Sequence, residues 1–171
     1  ARLSGRRASE QAGNILNNYF REVVLNVDEK YWPANVAAGM FLLSKHRPKT
    51  AAAEFKEAAG KNKRIPEVHI GRAALLLSRW QFEAAIKEIK AALKINPNHP
   101  DAHIIHGVCL LQWRKFDEVE KELKKALKVN PNHVEALSLL AALHHRTFEP
   151  EKATPYAERV AKVNPQSVEL P

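Results

Sequence analysis

A tetrapeptide that returns at a fixed interval decides what this chain can become. Asn96-Pro97-Asn98-His99 recurs 34 positions on as Asn130-Pro131-Asn132-His133, and Asn164-Pro165-Gln166 follows after 34 more. Displacing the chain against itself by that interval pairs Phe82 with Phe116, Ile89 with Leu123, Ala92 with Ala126 and Leu93 with Leu127. In the other direction Ala85 meets Ala51, Ile89 meets Phe55, and Ala92 meets Ala58. A period in the range of about 20–50 residues marks one supersecondary unit stacked on copies of itself, because a single unit cannot bury its apolar face alone.

The units are helical. Ile86, Ile89, Leu93 and Ile95 form an apolar face at helical spacing, with Lys87, Glu88, Lys90 and Lys94 mostly opposite. Only 6 of 171 residues are glycine, about half the usual 7%. That scarcity argues against a sheet with many tight turns and against Gly-rich phosphate loops. A single cysteine rules out an internal disulfide and a Cys-rich zinc site. No apolar run approaches the roughly 18 residues of a membrane span. With 45% hydrophobic residues, the chain can bury a sizeable core.

The period and the residues at its fixed slots resemble the tetratricopeptide repeat, a helix–turn–helix unit of 34 residues. The small eighth slot holds Gly39, Ala73, Gly107 and Ala141, and the alanine of the twentieth is Ala51, Ala85, Val119 and Ala153. The twenty-seventh holds Ala58, Ala92, Ala126 and Val160, and the proline of the thirty-second is Lys63, Pro97, Pro131 and Pro165. Small residues let the two helices approach closely, and the proline cannot continue the second one. Two slots depart. The family's fourth-slot Trp is Asn35, His69, His103 and Leu137, and its turn glycine is His46, Trp80, Arg114 and Phe148.

The resemblance implies an all-α, right-handed superhelix of antiparallel helix pairs, with units at 32–65, 66–99, 100–133 and 134–167. First helices are expected near 33–45, 67–79, 101–113 and 135–147. Second helices are expected near 49–61, 83–95, 117–129 and 151–162. Pro155 would disturb a regular turn, so the last helix is expected to start late, with Thr154 as cap and Pro155 as its first residue. Residues 1–31 read as a degenerate half-unit, with a lone second helix or a capping helix over 9–27. The stretch 168–171 reads as the opening of a further unit. A start at Ala1 rather than Met points to an excerpt of a longer protein.

In such a superhelix the first helices line the concave face. The resemblance places there Val36, Met40 and Leu43, then Glu67, Ile70, Ala74 and Leu77. Asp101, Ile104, Val108, Leu111 and Gln112 follow, and Ser138, His145 and Arg146 come last. The ninth slot is Met40, Ala74, Val108 and Ala142, so the cationic clamp of members that grip a C-terminal carboxylate is absent. A floor this apolar suits an amphipathic helix, an extended apolar segment or another domain of the same chain. Trp80, Trp113 and Phe148 cluster at the turns as an aromatic edge, which either covers its own helix ends or docks a partner.

Histidines occupy packing slots: His69 and His103 replace the Trp, and His106 and His144 replace a Leu and a Tyr. No cysteine or carboxylate pattern completes a metal site, so neither metal nor cofactor is expected. Cys109 reads as a small buried hydrophobe. The chain holds 27 Lys+Arg against 19 Asp+Glu, a net +8. The lysines of the second helices interleave with Glu118, Glu120 and Glu122, as on a solvated face, which disfavours nucleic acid.

No His-Glu-x-x-His, Gly-x-Ser-x-Gly or Walker loop is present. The expected function is non-catalytic: a scaffold for a protein or peptide partner, with the cytoplasm the favoured compartment and no membrane role. Tyr31-Trp32-Pro33-Ala34, leading into Ala37-Ala38-Gly39, is also similar to repeat regions of some bacterial proteins that carry a metallopeptidase domain. That similarity implies repeats that dock substrate or brace an enzyme. A basic helical-repeat RNA-binding module is the third alternative.

Overall fold

The computed structural model describes residues 28–164 throughout and, before them, only Asn14, Ile15, Phe20, Glu22, Val23 and Asn26. The expected helix over 9–27, apart from those positions, and the expected further unit at 168–171 lie outside the described residues. Eight helices follow Asp28: α1 Trp32–Ser44, α2 Pro48–Lys61, α3 Pro66–Leu77, α4 Phe82–Ile95, α5 Pro100–Leu111, α6 Phe116–Val129, α7 Val134–Arg146 and α8 Pro150–Val163. Among the described residues there is no strand, and no helix is long and apolar enough to cross a membrane.

The boundaries have local causes. Proline stands in the first turn of α1, α2, α3, α5 and α8, where its missing N–H has no intrahelical partner to lose. The recurring Asn-Pro-Asn-His is the turn out of α4 and of α6. Asn96 Oδ1 accepts from the Asn98 amide at 3.1 Å, and Asn130 Oδ1 from Asn132 at the same distance. Asn62 does this for Arg64 at 2.9 Å, with Lys63 in place of the proline. An asparagine side chain thus closes the turn whether or not proline follows it.

Each first helix ends in the same paired hydrogen bonds. In the second turn, Gln81 N donates to Leu76 O at 3.0 Å and Trp80 N to Leu77 O at 2.9 Å, a Schellman motif. The same pair recurs with Arg47 and His46, with Lys115 and Arg114, and with Glu149 and Phe148 as donors. This motif needs a left-handed residue, and His46, Trp80, Arg114 and Phe148 supply it at φ 55°, 60°, 53° and 61°. No described glycine has positive φ.

The chain divides into two compact units, residues 1–81 and 82–171. In the first, α1, α2 and α3 touch one another around Leu42, Phe55, Ala58, Ile65 and Val68, with the Phe20 ring 6.1 Å from that of Phe41. In the second, each of α4 to α8 packs on its neighbour in sequence. Ile104, Val119, Leu123, Ala126, Ala136 and Leu140 form a core there. The small-residue slots are sealed: Ala51, Ala58, Ala85, Ala92 and Ala126 are wholly buried.

The last helix corrects the sequence expectation. It begins at Pro150, not at Thr154, and runs through Pro155. Thr154 is no cap; its hydroxyl donates to Pro150 O at 2.9 Å. Pro155 leaves the Glu151 carbonyl without its intrahelical donor, but both residues are exposed, so water can reach that carbonyl.

Candidate functional site

The first helices of each unit present their apolar residues in two grades. Val36, Ile70 and Ile104 are buried and belong to the core. The next two slots are left partly open. Met40 is 40% exposed, and Leu43, Ala74, Leu77, Val108 and Leu111 are half-buried. Within one helix these slots are three residues apart, so each pair lies on one face. Glu67 and Asp101 are half-buried beside them, in the first turns of α3 and α5, where negative charge suits the helix dipole. On α5 and α7 the polar end of the series, Gln112, Ser138, His145 and Arg146, is exposed. Within each unit the candidate surface is therefore two slots of each first helix, narrower than the one read from sequence.

The three aromatics at the turns differ. Trp113 is 41% exposed, and its ring meets that of Phe82 edge-on at 6.2 Å, so it covers a helix end. Trp80 and Phe148 are 74% and 91% exposed and sit in left-handed turns.

His103 and His144 are buried packing residues, and the partner of His103 stands on another helix. His103 Nδ1 lies 2.7 Å from the Glu122 carboxylate, and its Nε2 is 3.0 Å from the Pro97 carbonyl. An acceptor oxygen thus faces each ring nitrogen. Lys125 Nζ adds a 2.7 Å bond to Glu122, and His106 Nδ1 lies at 3.4 Å. Burial alone would raise the Glu122 carboxyl; His106, Lys125 and His103 outweigh it and hold it at about 2. The only available signal was spacing. Asn35, in the same slot as His103, donates to Glu54 at 2.9 Å across the same 19-residue separation.

His144 is buried, stacks on Tyr156 at 5.8 Å and has Nδ1 3.1 Å from Glu149. Lys152 and then His144 hold the Glu149 carboxyl down to about 2. Cys109 is fully buried, which pushes its thiol up to about 11, away from the reactive thiolate. Among the described residues no group of three or more His, Cys, Asp or Glu is placed to hold a metal ion. On α6, Lys124 pairs with Glu120 at 2.6 Å and Lys115 with Glu118 at 3.0 Å, so much of its positive charge is locally balanced.

Two models of the tetratricopeptide repeat match the chain, over residues 36–100 and 100–133. No curated protein sequence matches it. Among solved structures, TTC0263, a thermophilic protein of this repeat type from Thermus thermophilus, is similar at TM-score 0.78 and 18% identity, covering 98% of this chain and 91% of its own. MamA from Desulfovibrio magneticus RS-1 is similar at TM-score 0.60 and 15% identity, with 99% and 95% covered. YrrB, described as having an unusual peptide-binding site, is similar at TM-score 0.57 and 19% identity, with 93% and 81% covered. These likenesses share the all-α helical-repeat superhelix, and with the matched repeat models they show that the chain belongs to the tetratricopeptide repeat family.

Proposed function

We propose that the chain is a protein-interaction scaffold that takes an apolar partner segment on the first helices of its repeats. The observation that carries this reading is the incomplete cover of the two neighbouring slots. Met40 and Leu43, Ala74 and Leu77, and Val108 and Leu111 stay partly exposed while Val36, Ile70 and Ile104 below them are sealed. Apolar residues three apart on a helix face suit a partner that lays down an amphipathic helix or an extended segment. Family membership and the peptide-binding site named for YrrB support the same reading. The absence of a cationic residue at Met40, Ala74, Val108 and Ala142 favours side-chain contacts over capture of a terminal carboxylate.

The test is a Leu77→Glu, Leu111→Glu double variant. Both side chains are half-buried at the surface, so the fold tolerates them better than a core charge. Proteins that cross-link to the native chain should be lost from the variant while its circular dichroism and melting midpoint stay close to native. Unchanged cross-linking would remove the inner face as the contact surface.

A further inference from the structure

In the unit that spans residues 1–81, α1 and α3 both pack against α2 across short connections, so their C-termini lie at one end. That end carries Lys45, His46, Arg47 and Lys49 from one turn and Arg79 and Trp80 from the other. The segments 44–53 and 78–82 contain no acidic residue, and none of these lysines and arginines makes an ion pair among the described residues. The helix dipole accounts for cations at the ends of α1 and α3. It does not account for Lys49, which lies in the first turn of α2, where a cation is disfavoured and no acidic residue stands. Nor does it account for Trp80, which is 74% exposed, while its left-handed backbone belongs to the Schellman turn common to all four repeats. Glu83 stands three residues past Trp80, the offset that Asp117 and Glu151 keep past the left-handed residues of the second unit, so the difference lies in the first turn, where that position is Lys49 and no acidic residue comes before Glu54.

We infer that this end of the first unit docks an acidic protein segment, with Trp80 as its apolar anchor and Lys45, Arg47, Lys49 and Arg79 as its charge complement. The inference rests on the scaffold reading but uses a different surface from the inner face. Trp and Arg are the residue types that carry most binding energy at protein contacts. A single exposed Trp among clustered cations fits a compact anchor. Single-stranded nucleic acid calls for successive stacking platforms along a track.

The experiment is fluorescence anisotropy of the full chain with three labelled probes: an acidic peptide of Asp, Glu, Leu and Phe, its Asn/Gln counterpart, and a uridine oligonucleotide. The acidic peptide should bind at least about tenfold more tightly than its neutral counterpart and weaken about tenfold between roughly 50 and 300 mM salt. Trp80→Gly should weaken it at least about tenfold while leaving the melting midpoint unchanged or raised, since glycine fits the left-handed turn. Arg47→Glu with Arg79→Glu should abolish it. A Leu77→Ala, Leu111→Ala variant, which trims the inner face without adding charge beside Arg79, should bind the acidic peptide like the native chain, which separates this surface from the inner face. Equal binding of the acidic and neutral peptides, native affinity in Trp80→Gly, or loss in the Leu77→Ala, Leu111→Ala variant would each overturn the inference. Tighter binding of the oligonucleotide through the same residues would overturn it too, and would reassign the surface to nucleic acid.

Discussion

His103 Nδ1 lies 2.7 Å from the Glu122 carboxylate, a buried contact between the first and second helices of one repeat, in the slot where the family places a tryptophan. The carboxyl is held at about 2 against an ordinary 4.5. A folded-state value below the unfolded one means that folding gains stability when the group is ionised. That gain is fully present above pH 4.5 and is lost as pH falls towards 2. Glu122→Gln should therefore melt below the native chain at pH 7, and the gap between them should close between pH 4.5 and 2. Thermal melts at a series of pH values measure this. A gap that stays constant with pH would mean that the charge of Glu122 contributes nothing.

The ring of Phe55 fills the space that side chains on Gly39 and Gly71 would need. A Cβ on Gly71 would lie 2.3 Å from the ring, and one on Gly39 2.6 Å. Either substitution to alanine should destabilise the first unit by about 1–3 kcal/mol, since the ring is fully buried and cannot swing aside. Leu123 holds the corresponding place opposite Gly107, and there a Cβ would meet nothing closer than 3.4 Å. Gly71→Ala should therefore be rescued in part by Phe55→Leu. Gly60→Ala is the control: nothing lies within 4 Å, and the helix gains about 1 kcal/mol. Urea unfolding of these variants separates packing from helix propensity.

What was legible in the sequence follows from the same contacts. The 34-residue interval locates the first seven helices to within a residue or two, because buried alanines such as Ala58, Ala92 and Ala126 recur only where two helices must touch; the start of the eighth departs because the helix runs through Pro155. The open strip of the inner face was legible only in part. The register names a slot but not its depth, so it places Val36, Ile70 and Ile104 on the surface beside Met40, yet they are buried. Glu122 was read as part of a solvated face because Lys121, Lys124 and Lys125 surround it in sequence. Its partner His103 stands on another helix. Local charge pattern cannot show which member of an alternating series turns inward.

The four left-handed turns yield a third prediction. A left-handed residue with a side chain costs about 1–2 kcal/mol, while glycine there gives up part of the gain through its freer unfolded state. Phe148 is 91% exposed, so removing its ring forfeits almost no packing. Phe148→Gly and His46→Gly should each stabilise the chain by about 1 kcal/mol, with asparagine intermediate. Arg114→Gly should gain less, because the guanidinium lies 5.9 Å from the Phe116 ring centre and that contact is lost. Chemical denaturation of the three variants gives the order. Destabilisation by Phe148→Gly would show that the ring packs on something in solution.

Pro155 inside α8 sets the last test. A proline in a helix interior costs about 3 kcal/mol relative to alanine, partly repaid by its stiffer unfolded chain. Pro155→Ala restores an N–H opposite the Glu151 carbonyl, and both positions face solvent, so no packing is disturbed. The substitution should stabilise the second unit by about 2 kcal/mol and slow amide exchange across 154–159. A helix that started at Pro155 would behave differently. The proline would then sit at its first position, where the missing N–H costs nothing, and alanine would bring no gain. The Pro155→Ala melting midpoint therefore distinguishes a helix that runs through the proline from one that begins at it.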